Sequence, residues 1–307
     1  MFFPIGANAS EFMSPSFPAK AIDPLLQTWA DAGINTLRIC LDDFASLEAW
    51  DEYENQDGTL KKAAVDRLET LLQAAQKHNM ASVISFFDLQ RMALHWDTHA
   101  YNRKNNGPCA NLADFFIKPV MLGRATKRIR QIVNIANDYP ILAYELARGI
   151  NIWERVRNTK ADTPKRVEFW AFRIAETLHR ADRDNHLIAL NYVPNTLPIT
   201  LMRAPYIHIN FLSVQSKNPI VAAKSTAQFI QVARDYKKPV FIAEINWSGD
   251  GAGRAELIRN VFWASVASCS GSFLTPGSML EKAQISSEDL LLAKTLKPFI
   301  KYIDLNG

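Results

Sequence analysis

Apolar and polar positions follow two periods along the chain. Short runs rich in β-branched and aromatic residues recur between longer segments whose apolar residues return at helical spacing. Strands that alternate with helices favour a parallel sheet with helical crossovers. The runs predict eight strands, at 2–7, 35–41, 81–89, 141–147, 186–192, 206–214, 239–245 and 271–275.

Eight strand and helix units in 307 residues match the size of a (β/α)8 barrel, the TIM-barrel fold. A doubly wound sheet uses fewer strands and an early Gly-rich phosphate turn, and no such turn follows the first predicted strand. The sequence has no Pro/Gly/Ser linker, low-complexity tract or repeat, so we expect one domain over 1–307. In such a barrel, functional residues lie in the loops after the strands, at the carboxyl face.

Capping residues predict where four of the helices begin. These starts are Asp23 followed by Pro24, Thr163 followed by Pro164, Ser225, and the run Ser-Ser-Glu-Asp at 286–289.

Composition argues against several classes of protein and site. The chain is 48% hydrophobic and 21% charged, and Lys plus Arg exceed Asp plus Glu by 35 − 31 = 4 without a basic cluster, which argues against a nucleic-acid partner. No apolar run reaches the length of a membrane span, and the N-terminus lacks the pattern of a signal peptide. Three widely spaced cysteines, Cys40, Cys109 and Cys269, are neither a disulfide framework nor a zinc site.

Four tryptophans fall in predicted loops after strands. They are Trp50, Trp96, Trp153 and Trp247, and the longest of these loops follow strands two, three and four. Loops this long inside a compact barrel are usually functional. A large flat apolar face stacks on sugar rings, so we expect these residues to bind a carbohydrate. The alternative for each is that it packs inside its own loop.

Four segments resemble strands two, three, four and seven of cellulase-like glycoside hydrolases of the clan A type. They are AGINTLRICL at 32–41, HWDTHAYNRKNNGPCANLADFF at 95–116, ILAYELARGINIWE at 141–154 and KPVFIAEINWSG at 238–249. The resemblance implies a (β/α)8 barrel. It also implies an acid/base Glu after an Asn at the end of strand four, a nucleophile at Glu244, and a substrate-binding arginine at Arg38.

The sequence departs from that family at the acid/base position. The resemblance places Arg148 where Asn is expected and Gly149 where the acid/base Glu is expected. Retaining hydrolysis needs two carboxyl groups about 5 Å apart, so we expect it to be impaired or altered. Gln215 and Lys217 also replace the usual residues of strand six. Arg148 at the barrel rim is predicted to bind substrate or to form an ion pair with Glu244.

Other carboxylates near the strand ends are candidate replacements for the acid. Glu154 follows strand four in the loop and is the candidate substitute acid. Glu145 lies about 13 Å deeper along the same strand and is predicted to be a buried structural acid paired with an arginine or histidine. Asp42, Asp43 and Asp97 follow other strands, and most of them are expected to be solvated or capping groups.

Two further motifs suggest other chemistry. His95 and His99 have the spacing of zinc ligands, but no third ligand is evident, so we expect no metal and no cofactor. The segment SGDGAGR at 248–254 leads into a helix after strand seven, where many barrels bind phosphate. It supports an alternative function, a metabolic barrel with a phosphorylated ligand. Its other interpretation is a tight turn before a helix capped by Asp250.

The sequence therefore predicts a glycoside-hydrolase-like barrel that binds an oligo- or polysaccharide. Whether it hydrolyses its ligand with a displaced acid or binds without turnover is left open, and a purely structural domain is a third alternative. The resemblance suggests a secreted or periplasmic protein. The oligomeric state is not predicted.

Overall fold

A computed structural model describes residues 3–42, 54–150, 163–192, 201, 203–248, 253–274 and 285–306. The strands form a closed parallel barrel in sequence order, with the first strand paired to both the second and the eighth. This confirms the predicted (β/α)8 fold. The strands are β1 (Ile5–Asn8), β2 (Thr36–Cys40), β3 (Ala81–Ser85), β4 (Ile141–Glu145), β5 (Leu187–Tyr192), β6 (Ile209–Ser216), β7 (Val240–Trp247) and β8 (Ser272–Leu274).

Nine α-helices in the described part of the chain surround the barrel. Their buried faces are apolar at helical spacing, as in most crossover helices. No described helix is both long and apolar enough to cross a membrane. The helices are α1 (Ile22–Asp31), α2 (Lys62–Lys77), α3 (Leu89–Leu94), α4 (Leu112–Ile117), α5 (Pro119–Ala136), α6 (Thr163–Ala181), α7 (Pro219–Asp235), α8 (Arg254–Ala267) and α9 (Ser287–Asn306).

The prediction for the start of α7 is wrong. The helix begins at Pro219, six residues before the predicted Ser225. Asn218 caps it, since its side chain accepts hydrogen bonds from the amides of Ile220 and Val221. An Asn cap followed by Pro at the first helical position is a strong start signal, and it outweighs a serine inside the helix.

Large apolar side chains fill the lower part of the barrel. Phe211 and Phe273 pack edge to face there, with ring centroids 5.7 Å apart, and smaller residues such as Val83 and Ala143 complete the layer. Gly6 makes room for Phe273, because a Cβ at this position would lie 2.1 Å from the phenyl ring. The lower part of the barrel is therefore a packed core, and the candidate site residues lie above this layer.

A bulge in β7 decides which side chains face the barrel interior. Leu212 pairs with Ile242 and Ser213 pairs with Glu244, so Ala243 is an extra residue on β7. Ala243 packs in the interior apolar layer, and Glu244, the next residue, also points inward to Arg38. In a regular strand two successive residues face opposite sides. The bulge thus brings Glu244 to the carboxyl end of the barrel interior.

Candidate active site

Arg38 is the centre of a buried polar layer above the phenylalanines. Its Nε and Nη2 donate to the two oxygens of Glu145 at 2.6 and 2.7 Å, and its Nη1 donates to Asn8 Oδ1 and to Glu244 Oε1, both at 2.9 Å. Glu145 is fully buried, which confirms the prediction of a structural acid paired with an arginine. Burial lowers the pKa of Arg38, but the charges of Glu145 and Glu244 raise it above its ordinary value.

Arg148 covers the other side of Glu244. Its Nη2 donates to Oε2 at 3.0 Å and its Nε lies 2.7 Å from Oε1, so the predicted ion pair is present. Nη1 of the same guanidinium donates to Asp88 Oδ2 at 2.9 Å. The Arg148 side chain is 20% exposed and that of Glu244 is 4% exposed. Arg148 therefore lies at the mouth of the barrel, between Glu244 and solvent.

The backbone of Arg148 is as well fixed as its side chain. Residues 88 and 148 form a parallel bridge beyond the ends of β3 and β4. The amide of Arg148 donates to Phe87 O at 2.8 Å, and the amide of Leu89 donates to Arg148 O at 3.1 Å. Asp88 also caps α3, because its Oδ1 accepts from the amide of Arg91 at 2.8 Å. These contacts direct the guanidinium towards Glu244.

Glu244 is ionised at neutral pH although it is buried. Burial raises the pKa of a carboxyl group because the charged form loses its hydration. The charges of Arg148 and Arg38, and the hydrogen bonds from both, outweigh burial and lower the pKa of Glu244 to about 2. Asn246 adds a weaker contact from Nδ2 to Oε2 at 3.4 Å. Glu244 therefore has the charge of a nucleophile, but both of its oxygens face cations.

Gly149 stands in a backbone conformation that side chains disfavour. Its φ is +69°, in the left-handed region, and a Cβ there would lie 3.1 Å from Cβ of Gln90. Asn191 on β5 fixes this conformation, since its Oδ1 accepts from the Gly149 amide at 2.9 Å. Asn191 is held in turn by Ser213, whose Oγ accepts from Nδ2 at 3.1 Å. The position of the expected acid is thus built around a glycine.

Two of the four tryptophans that are predicted to bind carbohydrate lie within the described residues. Trp96 begins a 3₁₀ turn (Trp96–Thr98) after α3 and is half-buried, with its ring stacked on His99 at 6.0 Å between centroids. Trp247 is the last residue of β7, not a loop residue, and its ring packs over Gly253. A Cβ on Gly253 would lie 2.2 Å from the indole. Trp50, Trp153 and the substitute acid Glu154 lie outside the described residues.

Asp42 is not a solvated group. Its side chain is buried and accepts from Arg128 Nη1 on α5 at 2.8 Å. An arginine enclosed by the helix layer needs a carboxylate, and Asp42 at the end of β2 is within reach. Asp97 is exposed and pairs with Lys104, as expected of a solvated group. Asp43 lies outside the described residues.

Of the two other motifs, the pair His95 and His99 lies within the described residues and the Gly-rich segment 248–254 only partly does. His99 is buried and His95 is exposed, and the described residues contain no cluster of three or more His, Cys, Asp or Glu side chains suited to a metal ion. Helix α8 begins at Arg254 with Gly253 as its N-cap, which corrects the expected cap at Asp250. Residues 249–252 of the Gly-rich segment lie outside the described residues, so the phosphate alternative stays a prediction.

Sequence reasoning missed Asp88 and Asn191, which orient Arg148 and Gly149. A local signal for Asp88 exists, because an Asp before an apolar segment at the end of a strand is a typical N-cap. No local signal pairs it with an arginine 60 residues later. Asn191 is one of many polar residues near strand ends, and its contact with position 149 follows from the register of the barrel.

Comparison with solved structures gives the same fold. An endo-1,4-β-D-mannanase from Thermotoga petrophila, solved with maltose and glycerol, matches with a TM-score of 0.73 at 16% identity over 97% of this chain and 100% of that chain. A glycoside hydrolase family 5 mannosidase from Rhizomucor miehei matches with a TM-score of 0.68 at 13% identity over 100% and 95%. A GH5_18 enzyme from Streptomyces cattleya, in complex with Manβ1-4GlcNAc, matches with a TM-score of 0.70 at 13% identity over 96% and 81%.

The chain therefore has the (β/α)8 barrel fold of family 5 glycoside hydrolases. No protein-family profile and no curated protein sequence matches it.

Proposed function

We propose that the chain binds carbohydrate at the carboxyl face of its barrel and that retaining glycoside hydrolysis is impaired there. The observation that carries this proposal is the pairing of Glu244 with the guanidinium groups of Arg148 and Arg38, beside a glycine at position 149. Both features affect groups that a retaining glycosidase uses, the nucleophile and the acid.

The nucleophile is the first impaired group. A retaining enzyme attacks the anomeric carbon with a free carboxylate oxygen. Glu244 is ionised, but Oε1 contacts both arginines and Oε2 accepts from Arg148. Because two cations neutralise the carboxylate, its oxygens are poor nucleophiles, and a sugar reaches them only after Arg148 has moved away.

The acid is the second impaired group. A general acid must reach the leaving oxygen within hydrogen-bond distance. Gly149 has no side chain, and the neighbouring carboxylate of Asp88 is engaged with the Arg91 amide and the Arg148 guanidinium. Asp88 is also 1% exposed, so its oxygens do not face a leaving group. The sugar oxygen of a natural glycoside would therefore have to depart without protonation, and cleavage of the bond would be slow.

Carbohydrate as the ligand class is supported by the fold and by one aromatic side chain. The solved barrels of this fold include a mannanase with maltose and an enzyme with Manβ1-4GlcNAc. Trp96 is half-buried after β3 and offers an indole at the carboxyl face, where barrels bind their ligands. β-1,4-Linked manno-oligosaccharides are therefore the first ligands to test.

Calorimetric titration with mannobiose to mannohexaose, beside a turnover assay, tests the proposal. We expect binding of the longer oligosaccharides without release of new reducing ends. An aryl β-mannoside, whose leaving group needs no protonation, is expected to turn over slowly, and Glu244→Gln is expected to abolish that turnover. Glu176→Gln, on the outer face of α6, is the matched control.

Two results would overturn the proposal. Turnover of unactivated oligosaccharides by the wild-type chain would refute the impairment, and its loss in Glu154→Gln would identify a displaced acid. Absence of binding to every oligosaccharide would refute the ligand class. In that case a ³¹P titration with inorganic phosphate would test the alternative of a phosphorylated ligand at the segment 248–254.

A further inference from the structure

A second buried ionic cluster lies away from Glu244 and joins the chain after β2 to the chain after β3. We call it the Arg128 cluster; it consists of Arg128, Asp42, Glu54 and Tyr101. Nη1 of Arg128 donates to Asp42 Oδ1 at 2.8 Å, and Nη2 donates to Glu54 Oε2 at 2.7 Å. The hydroxyl of Tyr101 lies 2.8 and 2.7 Å from the two oxygens of Glu54.

Burial of three charged side chains has a desolvation cost that only well-placed partners offset. The geometry of the cluster is therefore strongly determined. All four side chains are buried, and the guanidinium of Arg128 lies over the ring of Phe87 at 5.0 Å. A buried arginine is tolerated when carboxylates compensate its charge, and a buried carboxylate when it accepts hydrogen bonds. Glu54 meets both conditions through Arg128 and Tyr101. Loss of Arg128 would leave two buried carboxylates without this cation, and loss of the Tyr101 hydroxyl would remove a donor to both oxygens of Glu54.

A continuous path of contacts leads from this cluster to Trp96. The amide of Tyr101 donates to Nδ1 of His99 at 3.1 Å, and the two rings lie 4.9 Å apart. The His99 ring stacks on Trp96 with 13° between the ring planes. Asn102 donates from Nδ2 to Trp96 O at 2.9 Å, which fixes the turn itself. The orientation of the indole is thus set by the residues that follow it.

The path also connects Trp96 to the candidate active site. Asp88, which binds Arg148, caps α3, and Trp96 follows the end of this six-residue helix. Trp96 therefore lies in the same connection after β3 as Asp88, the carboxylate that binds Arg148. A ligand that extends outward from the barrel mouth along this loop would meet Trp96.

We propose that Tyr101 and Glu54 are positioning residues for a sugar-stacking face on Trp96. This inference rests on the proposed carbohydrate binding and adds the place of contact. Stacking requires the ring to be held at one orientation, because binding otherwise loses the free energy needed to order a mobile side chain. The Tyr101–Glu54 hydrogen bond supplies this order from inside the protein, without touching the ligand.

A double-mutant cycle on saccharide affinity tests the proposal. We expect Trp96→Ala to lower the affinity for mannohexaose at least tenfold and Tyr101→Phe to lower it about fivefold, less than loss of the indole because the ring remains but is less ordered. If Tyr101 acts through Trp96, Tyr101→Phe has no further effect in the Trp96→Ala background. Tyr139→Phe, at the opposite end of the barrel, is the control and is expected to bind as wild type.

A second measurement needs no ligand. In a ¹⁵N-indole NMR spectrum, the signal that disappears in Trp96→Phe identifies Trp96. We expect Tyr101→Phe to shift this signal and Tyr139→Phe to leave it unchanged. An unchanged Trp96 signal in Tyr101→Phe, or equal effects of Tyr101→Phe on affinity with and without Trp96, would overturn the positioning role.

The failures of the two proposals are distinguishable. If Trp96→Ala binds mannohexaose with the affinity of the wild-type chain, this inference is overturned and the proposal of carbohydrate binding stands. Absence of binding in the wild-type chain would overturn the proposed function, and this inference with it.

Discussion

The guanidinium of Arg148 faces both carboxylate oxygens of Glu244, with Nη2 to Oε2 at 3.0 Å and Nε to Oε1 at 2.7 Å. Arg38 also donates to Oε1, from Nη1 at 2.9 Å. Glu145, Arg38, Glu244, Arg148 and Asp88 thus form a row of alternating charges across the upper barrel. Three acids and two bases give the row a net charge of −1, so it is nearly neutral. The pairing stabilises the row and occupies the carboxylate on which retaining catalysis would depend.

Replacement of Arg148 is expected to change both the charge and the stability of this row. In Arg148→Met the pKa of Glu244 should rise, because burial then acts against Arg38 alone. We expect the free energy of unfolding to fall by about 1–3 kcal/mol, less than for a fully orphaned charge since Arg38 remains. A ¹³C NMR titration of labelled glutamate carboxyls measures the pKa, and urea denaturation measures the stability.

Arg180→Met is the control for that experiment. Arg180 pairs with Glu176 on the exposed face of α6, and an exposed pair contributes at most about 1 kcal/mol. An unchanged Glu244 titration in Arg148→Met would mean that Arg148 does not determine the charge of this carboxylate.

The pairing of Glu244 also predicts how stability depends on pH. The folded-state pKa is about 2 and the ordinary value is 4.5. A lowered carboxyl pKa stabilises the fold fully above pH 4.5, and this contribution is lost as pH falls towards 2. The difference corresponds to about 3 kcal/mol. Urea denaturation between pH 5 and pH 3 should therefore show a steeper decline for the wild-type chain than for Glu244→Gln. Parallel curves would contradict the lowered pKa.

The conformational requirement for glycine at position 149 predicts the effect of an alanine there on stability. Gly123, which lies in an ordinary helical conformation, serves as the comparison. Gly149→Ala is expected to cost about 1–2 kcal/mol, because φ is +69° and the new Cβ meets Gln90 at 3.1 Å. Gly123 lies inside α5 with open space at its Cβ position. Gly123→Ala should therefore stabilise the protein by about 0.5–1 kcal/mol. Thermal or urea denaturation of both variants measures the opposite signs; equal signs would refute the argument.

The barrel itself could be predicted from the sequence, because each strand–helix unit is recognisable from local hydrophobic periods. All eight predicted strands are present, with ends that differ by a few residues. The start of α7 differs from the predicted Ser225, although Asn218 and Pro219 together signal it. Local signals therefore specify the order of the elements, and two competing helix-start signals explain the difference at α7.

The site was less predictable, because it depends on contacts between distant residues and on one irregularity. The inward direction of Glu244 follows from the bulge at Ala243, which no residue of β7 indicates and which a strict two-residue alternation would contradict. The Arg148–Glu244 pair was predicted because the family resemblance placed both residues at the rim. Asp88 and Arg128 contact their partners because the fold brings distant segments together, and the sequence pattern does not specify these contacts.

His99 provides a last prediction, on the loop that carries Trp96. Burial, and secondarily the charge of Arg128, lowers its pKa from 6.5 to about 4. The unfolded chain takes up this proton below pH 6.5 and the folded chain only near pH 4, so stability falls as pH drops through this window. The fall attributable to His99 amounts to about 3 kcal/mol. His99→Asn keeps an acceptor for the Tyr101 amide and removes the titration, so its stability should decline less between pH 6.5 and pH 4. Direct NMR titration of the imidazole gives the decisive value, and a midpoint near 6.5 would show that the ring is hydrated and that the path from Tyr101 to Trp96 is open to water.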